Sequence, residues 1–393
     1  MHPQLNTLIR VLFYTSLLSG LLWLTACQSP SAPETLPEIR IGLLAPLSGP
    51  SAESAGRSTL NAARLAVSEI NEAGGLLVGE QRYYVVLVES DDGGTAETAV
   101  QAAQRLINQE NIVALIGPPF SSTAEAVAAL ANESRIPLIT PTATNPGITP
   151  NRPYIFRATF DDNFQSVALA SFIRTKLEYN RVAILYDISN NYSRELAETF
   201  QQAFSERGGD VVAVETYTAD TNTTFSSQIQ AIAAGQPQAI FLPNFTNDVL
   251  QQGNEIEELG LDVTLIGGDS WQGERLSAQG NFVGAFFSGN YCRDLTNERI
   301  RRFVEKYERS YDTTPDGLAA LTYDSFHLLF AAIVDQNKFE ADTILNGLYN
   351  IVYEGVTGTI KFDTNGNPDN KAVAIWIIEE SERRCYTVIA PND

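Results

Sequence analysis

The chain has 393 residues, with 26 Lys and Arg against 47 Asp and Glu, a formal net charge of −21 and an apolar fraction of 44%. That length suits two domains on a prior of roughly 100–200 residues each, and the composition is that of a folded globular protein. A pI near 4.5, with five lysines and no basic run longer than two residues, argues against nucleic acid as a partner, because phosphate binding needs clustered Lys and Arg.

In chain order, residues 1–10 carry one Arg and no acid, residues 11–23 are an uncharged run rich in Leu, and Leu24-Thr-Ala-Cys27 follows. A positive start, an apolar core of roughly 7–15 residues and small residues before a cut make a signal peptide. The run is shorter than the ~20 residues of a membrane-spanning helix. Its last four residues resemble the lipobox of bacterial lipoproteins, which implies cleavage before Cys27, a diacylglycerol on the Cys27 thiol and acylation of the new amino group. Residues 1–26 are then a lipoprotein signal peptide, and the Pro/Ser-rich stretch 27–37 is a tether. The expected location is outside the cytoplasm, periplasmic or at the cell surface. Acyl chains hold the protein at a membrane, each buried CH₂ contributing about 0.8 kcal/mol.

From residue 39 the pattern alternates short apolar runs with amphipathic segments. Strands are expected at 39–44, 83–88, 112–117 and 137–139, with helices at 56–73, 95–108 and 122–134 between them. The first helix stops at Gly74-Gly75, since Gly tolerates positive φ. The acidic Asp91-Asp92 before Gly93-Gly94 reads as a turn opening a helix. The pattern then restarts, with strands at 181–186, 211–214, 239–242 and 263–266 and helices at 192–206, 225–233 and 248–259. Strands alternating with helices imply βαβ units and a parallel sheet, here used twice. Two helices, 297–311 and 319–335, follow, and a hairpin-like tail is expected from 358–363, the turn Asn365-Gly-Asn-Pro368 and apolar 372–378.

The side-chain inventory narrows the chemistry. With His2 in the removed segment, His327 alone remains, in the apolar Tyr323-Asp-Ser-Phe-His-Leu-Leu-Phe330, where a packed helical histidine is expected. No metal and no cofactor are expected, because one histidine and the cysteines do not make a ligand set. After lipidation, Cys292 and Cys385 are the two thiols left to pair in an oxidising compartment, although nothing in the sequence brings them together. The chain lacks Gly-x-Ser-x-Gly, Ser-x-x-Lys and phosphate-loop Gly-Lys-Ser/Thr, so catalysis is not expected.

Four segments carry a family resemblance: Ile41-Gly-Leu-Leu-Ala-Pro-Leu-Ser-Gly-Pro50, Ala66-Val-Ser-Glu-Ile-Asn-Glu-Ala-Gly-Gly75, Ile116-Gly-Pro-Pro-Phe-Ser-Ser-Thr-Ala124 and Ile136-Pro-Leu-Ile-Thr-Pro-Thr-Ala-Thr144. In this order and spacing they resemble the type I periplasmic binding proteins of the branched-chain amino acid family. The resemblance implies two doubly wound α/β lobes joined by three crossovers and closing on a ligand. The crossovers would lie near 158–162, 285–291 and 358–362. Lobe one would be 38–158 plus 290–357, and lobe two 162–287 plus 360–393. It also implies delivery of an amino acid to an ABC transporter permease by a monomer.

The same resemblance implies the site residues. Ser121, at the start of a helix where unpaired N–H groups suit an anion, and the Thr144 hydroxyl match positions that hold the ligand carboxylate. The Thr142 carbonyl matches one that accepts from the ligand ammonium. Asp269, in Leu265-Ile-Gly-Gly-Asp-Ser-Trp271, matches a carboxylate that pairs with that ammonium, whose burial needs a negative partner. Tyr192 and Phe245 match aromatic wall positions. Plain N-caps at 121 and 269, and core roles for the two aromatics, are the structural alternatives. Where the family often has an aromatic after Ser-Gly-Pro, this chain has Ser51-Ala-Glu-Ser-Ala-Gly56, leaving Glu53 to face solvent or the ligand. Aliphatic, polar and cationic amino acids all stay open. An amide, urea or aromatic carboxylate ligand, or a ligand-free envelope scaffold, are the alternatives.

Overall fold

Buried aliphatic strands build two sheets, joined by a chain that crosses between them three times. The computed structural model describes residues 36–218, 224–272, 276, 282–294, 297–369, 371–380 and 382–390; Cys27 and the signal segment lie outside these residues. In the first sheet, β1 (Glu38–Ala45), β2 (Leu76–Val78), β3 (Gln81–Asp91), β4 (Ala114–Ile116), β5 (Leu138–Thr140) and β6 (Ile155–Arg157) lie in the order β2-β3-β1-β4-β5-β6. All pair in parallel except the edge strand β2. β4 and β5 are buried at every position, as strands covered by helices on both faces must be. The covering helices include α1 (Arg57–Glu72), α2 (Ala96–Gln109) and α3 (Ser121–Glu133).

The chain then enters α4 (Asp162–Thr175), which leads into the second sheet. Its parallel strands are β7 (Arg181–Asp187), β8 (Asp210–Tyr217), β9 (Ala239–Leu242), β10 (Thr264–Gly267) and β11 (Phe286–Gly289), with α5 (Asn191–Glu206), α6 (Ser226–Ala234) and α7 (Thr246–Glu258) between them. After β11 the chain returns to the first lobe as α8 (Glu298–Tyr311), α9 (Gly317–Gln336) and α10 (Ala341–Asn350). Leu321, Phe326 and Leu329 of α9 share one buried cluster with Ile39 and Ile41 of β1. That burial accounts for the apolar length of α9, which would otherwise suffice to cross a membrane. A short hairpin, β12 (Tyr353–Gly355) with β13 (Gly358–Ile360), precedes β14 (Val373–Ile378) and β15 (Arg383–Ile389), which close the second sheet in the order β15-β14-β11-β10-β9-β7-β8.

Two expectations change. Residues 360–367 stay with the first lobe: Ile360 and Phe362 are buried in its core, the Phe362 ring lies 4.8 Å from Phe156, and Gly366 O accepts from Arg157 N at 3.0 Å. Burying that phenyl ring holds the chain on the first lobe until it joins the second sheet at Val373. A terminal hairpin forms, but the partner of β14 is β15 rather than 358–363. Within the expected second crossover, β11 runs to Gly289 and the chain leaves the second lobe at Asn290. Thr159 Oγ1 donates to Asn290 Oδ1 at 2.8 Å, tying the first two crossing segments together.

Cys292, just past β11, is disulfide-bonded to Cys385 of β15, with 5.7 Å between Cα atoms and a sequence separation of 93. A cross-link closing so long a loop restricts the unfolded chain and stabilises by about 2–4 kcal/mol.

Candidate functional site

The residues singled out in the sequence come together at one end of both sheets. Ser121 follows β4, Thr142 and Thr144 follow β5, Tyr192 follows β7, Phe245 follows β9 and Asp269 follows β10. Each lies just past the carboxyl end of a parallel strand, where open α/β sheets bind ligands.

On the first-lobe side the backbone dictates the geometry. Gly117 has φ +89°, and a Cβ there would meet Leu44 O at 2.1 Å, so only glycine lets the chain turn against β1 toward Ser121. The residue capping α3 is Phe120, which offers no side-chain cap, and Ser121 is the first helical residue rather than the cap. The first N–H groups of α3 therefore have no side-chain acceptor and present the positive end of the helix dipole. Ser121 Oγ accepts from Asn145 N at 3.2 Å, which directs its own proton elsewhere. Thr140 and Thr142 hydroxyls donate to Pro118 O at 2.6 Å and Pro119 O at 2.7 Å, pinning the loop after β4 to the loop after β5. Thr144 is fully buried, and its hydroxyl faces the Asp162 carboxyl. Arg157, also fully buried, brackets Thr144 by donating to Ala143 O at 3.2 Å, Asn145 O at 2.8 Å and Asn367 Oδ1 at 2.8 Å.

The second-lobe side supplies charge and rings. Asp269 opens a 3₁₀ turn over Asp269–Gln272 and is buried. Its Oδ1 accepts from Tyr192 OH at 2.8 Å and Gln165 Nε2 at 3.1 Å. Burial lifts the Asp269 carboxyl to about 6, with the Tyr192 hydrogen bond opposing the rise. Burial, then the Asp269 charge, raises the Tyr192 phenol well above its ordinary value, so that hydroxyl remains a donor. Phe245 lies 5.4 Å from the Tyr192 ring and meets Phe120 of the first lobe edge-on at 5.5 Å. Asn191 Nδ2 of α5 also donates to Glu125 Oε2 of α3 at 3.2 Å. The lobes thus touch across the cleft in a closed arrangement. Beside it, Gln272, whose amide donates to Asp269 O at 2.9 Å, borders a cavity of about 340 Å³ of mixed lining, in which Arg293 and Arg383 lie over the rings of Trp376 and Phe287 and Asp316 and Glu382 add negative charge.

Two site residues escaped the sequence reading. Gln165 of α4 donates through Nε2 to both Asp269 Oδ1 and Asp162 Oδ1, while its Oε1 accepts from Asp269 N at 3.1 Å and Ser288 Oγ at 2.7 Å. Asp162, fully buried, is lifted to about 8, first by burial and then by the negative charge of Asp269. The available signal was the polar start of α4, Asp161-Asp162-Asn163-Phe-Gln165, whose buried polar positions disguise its helical period. Glu53 resolves differently: it is exposed and pairs with Arg57, out of the ligand position left open for it. His327 packs on α9 as expected, its ring 4.3 Å from Tyr323 and Nε2 3.3 Å from Glu69.

Comparison with known proteins agrees with this geometry. The sequence profile of the periplasmic binding protein family matches residues 38–380. The Leu/Ile/Val-binding protein BraC3 of Rhizobium johnstonii is 30% identical over 61% of this chain, and the match spans 63% of that relative, less than two thirds of its length. Leu/Ile/Val-binding protein homolog 3 of Brucella melitensis is 26% identical over 86% of this chain and 91% of its own. The crystal structure of the leucine binding protein LivK of Thermotoga maritima is similar with a TM-score of 0.82 and 28% identity, covering 90% of this chain and 99% of that one. With a profile match across nearly all of its folded part and two parallel-sheet lobes facing a cleft, the chain belongs to the periplasmic binding protein family of solute-binding proteins.

Proposed function

We propose that this is an exported, lipid-anchored binding protein that captures an amino acid, branched-chain or otherwise neutral, between its lobes and hands it to an ABC transporter permease. The observation that carries the reading is the polarity of the cleft. Ser121, Thr144 and the uncapped start of α3 suit a carboxylate, and the buried Asp269 carboxyl suits an ammonium. The names of the relatives, Leu/Ile/Val-binding and leucine binding, point the same way. Leu24-Thr-Ala-Cys27 supports the lipid anchor. Closure around a ligand requires only higher affinity for the closed state and no bond-making step.

A thermal-shift screen of the twenty amino acids, with benzoate and urea alongside, tests this. At least one amino acid at 100 times its dissociation constant stabilises by about 2.7 kcal/mol. A response to benzoate or urea alone, or to none of the set, overturns the reading.

A further inference from the structure

Asp162 and Asp269 are both buried, and one amide nitrogen of Gln165 serves them both. Their hydrogen bonds are unequal. Asp269 Oδ1 has two donors at 2.8 and 3.1 Å, whereas Asp162 Oδ1 has one at 3.3 Å and its carboxyl otherwise meets only the Thr144 hydroxyl among the described side-chain hydrogen-bonding groups. The more weakly hydrogen-bonded carboxylate of a buried pair is the harder one to keep ionised, so a proton shared by this pair resides on Asp162. The charged and titratable groups facing Asp162 are Asp269, Tyr192 and Arg157. Asp269 repels a second negative charge, and the Tyr192 hydroxyl is spent on Asp269. The hydrogen bonds of Arg157 go to Ala143 O, Asn145 O and Asn367 Oδ1, which leaves it only a through-space effect on Asp162.

The Asp162 carboxyl and the Thr144 hydroxyl are both buried and face each other, and the two residues are held together by Asp162 N donating to Thr144 O at 2.9 Å. Resting on the reading above, in which Thr144 receives the ligand carboxylate, we infer that Asp162 is a positioning residue: as a neutral acid it donates its O–H to Thr144 Oγ1 and so turns the Thr144 proton toward the ligand carboxylate. Ionised, Asp162 would instead draw that proton to itself, leave Thr144 a lone pair to offer, and set a buried negative charge beside the ligand's own.

The test has two arms that fail separately. In infrared difference spectra of the full chain without ligand, a protonated carboxylic acid band present at pH 7 fades on raising the pH through about 8. The band is absent in Asp162→Asn and persists in Asp269→Asn, titrating at lower pH once the neighbouring charge is gone. No band in the unsubstituted chain, or a band that survives in Asp162→Asn and vanishes in Asp269→Asn, overturns the inference. Should Asp162→Asn not fold, Thr144→Val replaces it: removing the acceptor shifts the band, and an unshifted band counts against the assignment. In the second arm, calorimetry with leucine gives an affinity about tenfold weaker at pH 9 than at pH 7 in the unsubstituted chain, and less than threefold weaker in Asp162→Asn. Equal pH slopes overturn the inference. If leucine fails to bind at either pH, the amino acid reading suffers, while the infrared arm still locates the proton.

Discussion

In the first lobe the strand ends of the cleft carry Ser121, Thr142 and Thr144, backed by an uncapped helix start; in the second they carry Tyr192, Phe245 and Asp269. The two lobes share a parallel-sheet plan, yet one presents small hydroxyls and backbone N–H groups and the other an acid and aromatic rings. The difference teaches how a repeated architecture makes a polar site. Donors on one side and an acceptor on the other give the cleft a direction, and only a ligand with both kinds of group satisfies both sides when the lobes meet. On the proposed reading, the side facing a ligand carboxylate would rely on many weak neutral donors and the side facing an ammonium on one buried charge.

That asymmetry orders the expected effects. Asp269→Ala is the most damaging change: leaving an ammonium buried without its partner costs roughly 3–5 kcal/mol. The leucine dissociation constant then rises at least a hundredfold by calorimetry, and a rise under tenfold would mean that the two sides are not unequal in this way. Next comes the second lobe's own brace. Cys292→Ser removes the link between the segment after β11 and the edge strand β15, and denaturant unfolding shows a loss of about 2–4 kcal/mol. An unchanged midpoint would show that the strand pairing alone holds that edge. The smallest effect belongs to the hydroxyl side. Ser121→Ala removes one neutral donor and costs about 1–1.5 kcal/mol, roughly a tenfold weaker affinity. A loss as large as that of Asp269→Ala would erase the contrast between the lobes.

Much of this could be read before the structure. Ser121 and Asp269 follow apolar runs short enough to be strands and open helical turns, so their placement at strand ends follows from local pattern, whereas Thr144 is singled out only by the family resemblance. Asp162 and Gln165 were not legible in the same way. A polar residue at the start of a helix ordinarily faces water, and their burial arises only because α4 passes beneath both β10 and the loop after β5, bringing Asp269 and Thr144 to them. Arg157 is similar: a charge closing the apolar Tyr154-Ile-Phe sequence is an anomaly in one dimension, explained once carbonyls from 143 and 145 and the Asn367 amide converge on it.

The sequence by itself determined the strand–helix alternation, its restart as a second lobe, and the residue types gathered where strands end, because these depend on periodicity and on neighbours a few positions apart. Only the tertiary structure decided that Cys385 meets Cys292, that Phe362 keeps its segment on the first lobe, and that Gln165 joins two acids in one dry network. Those outcomes depend on which distant surfaces exclude water together, and that is a property of the packed chain.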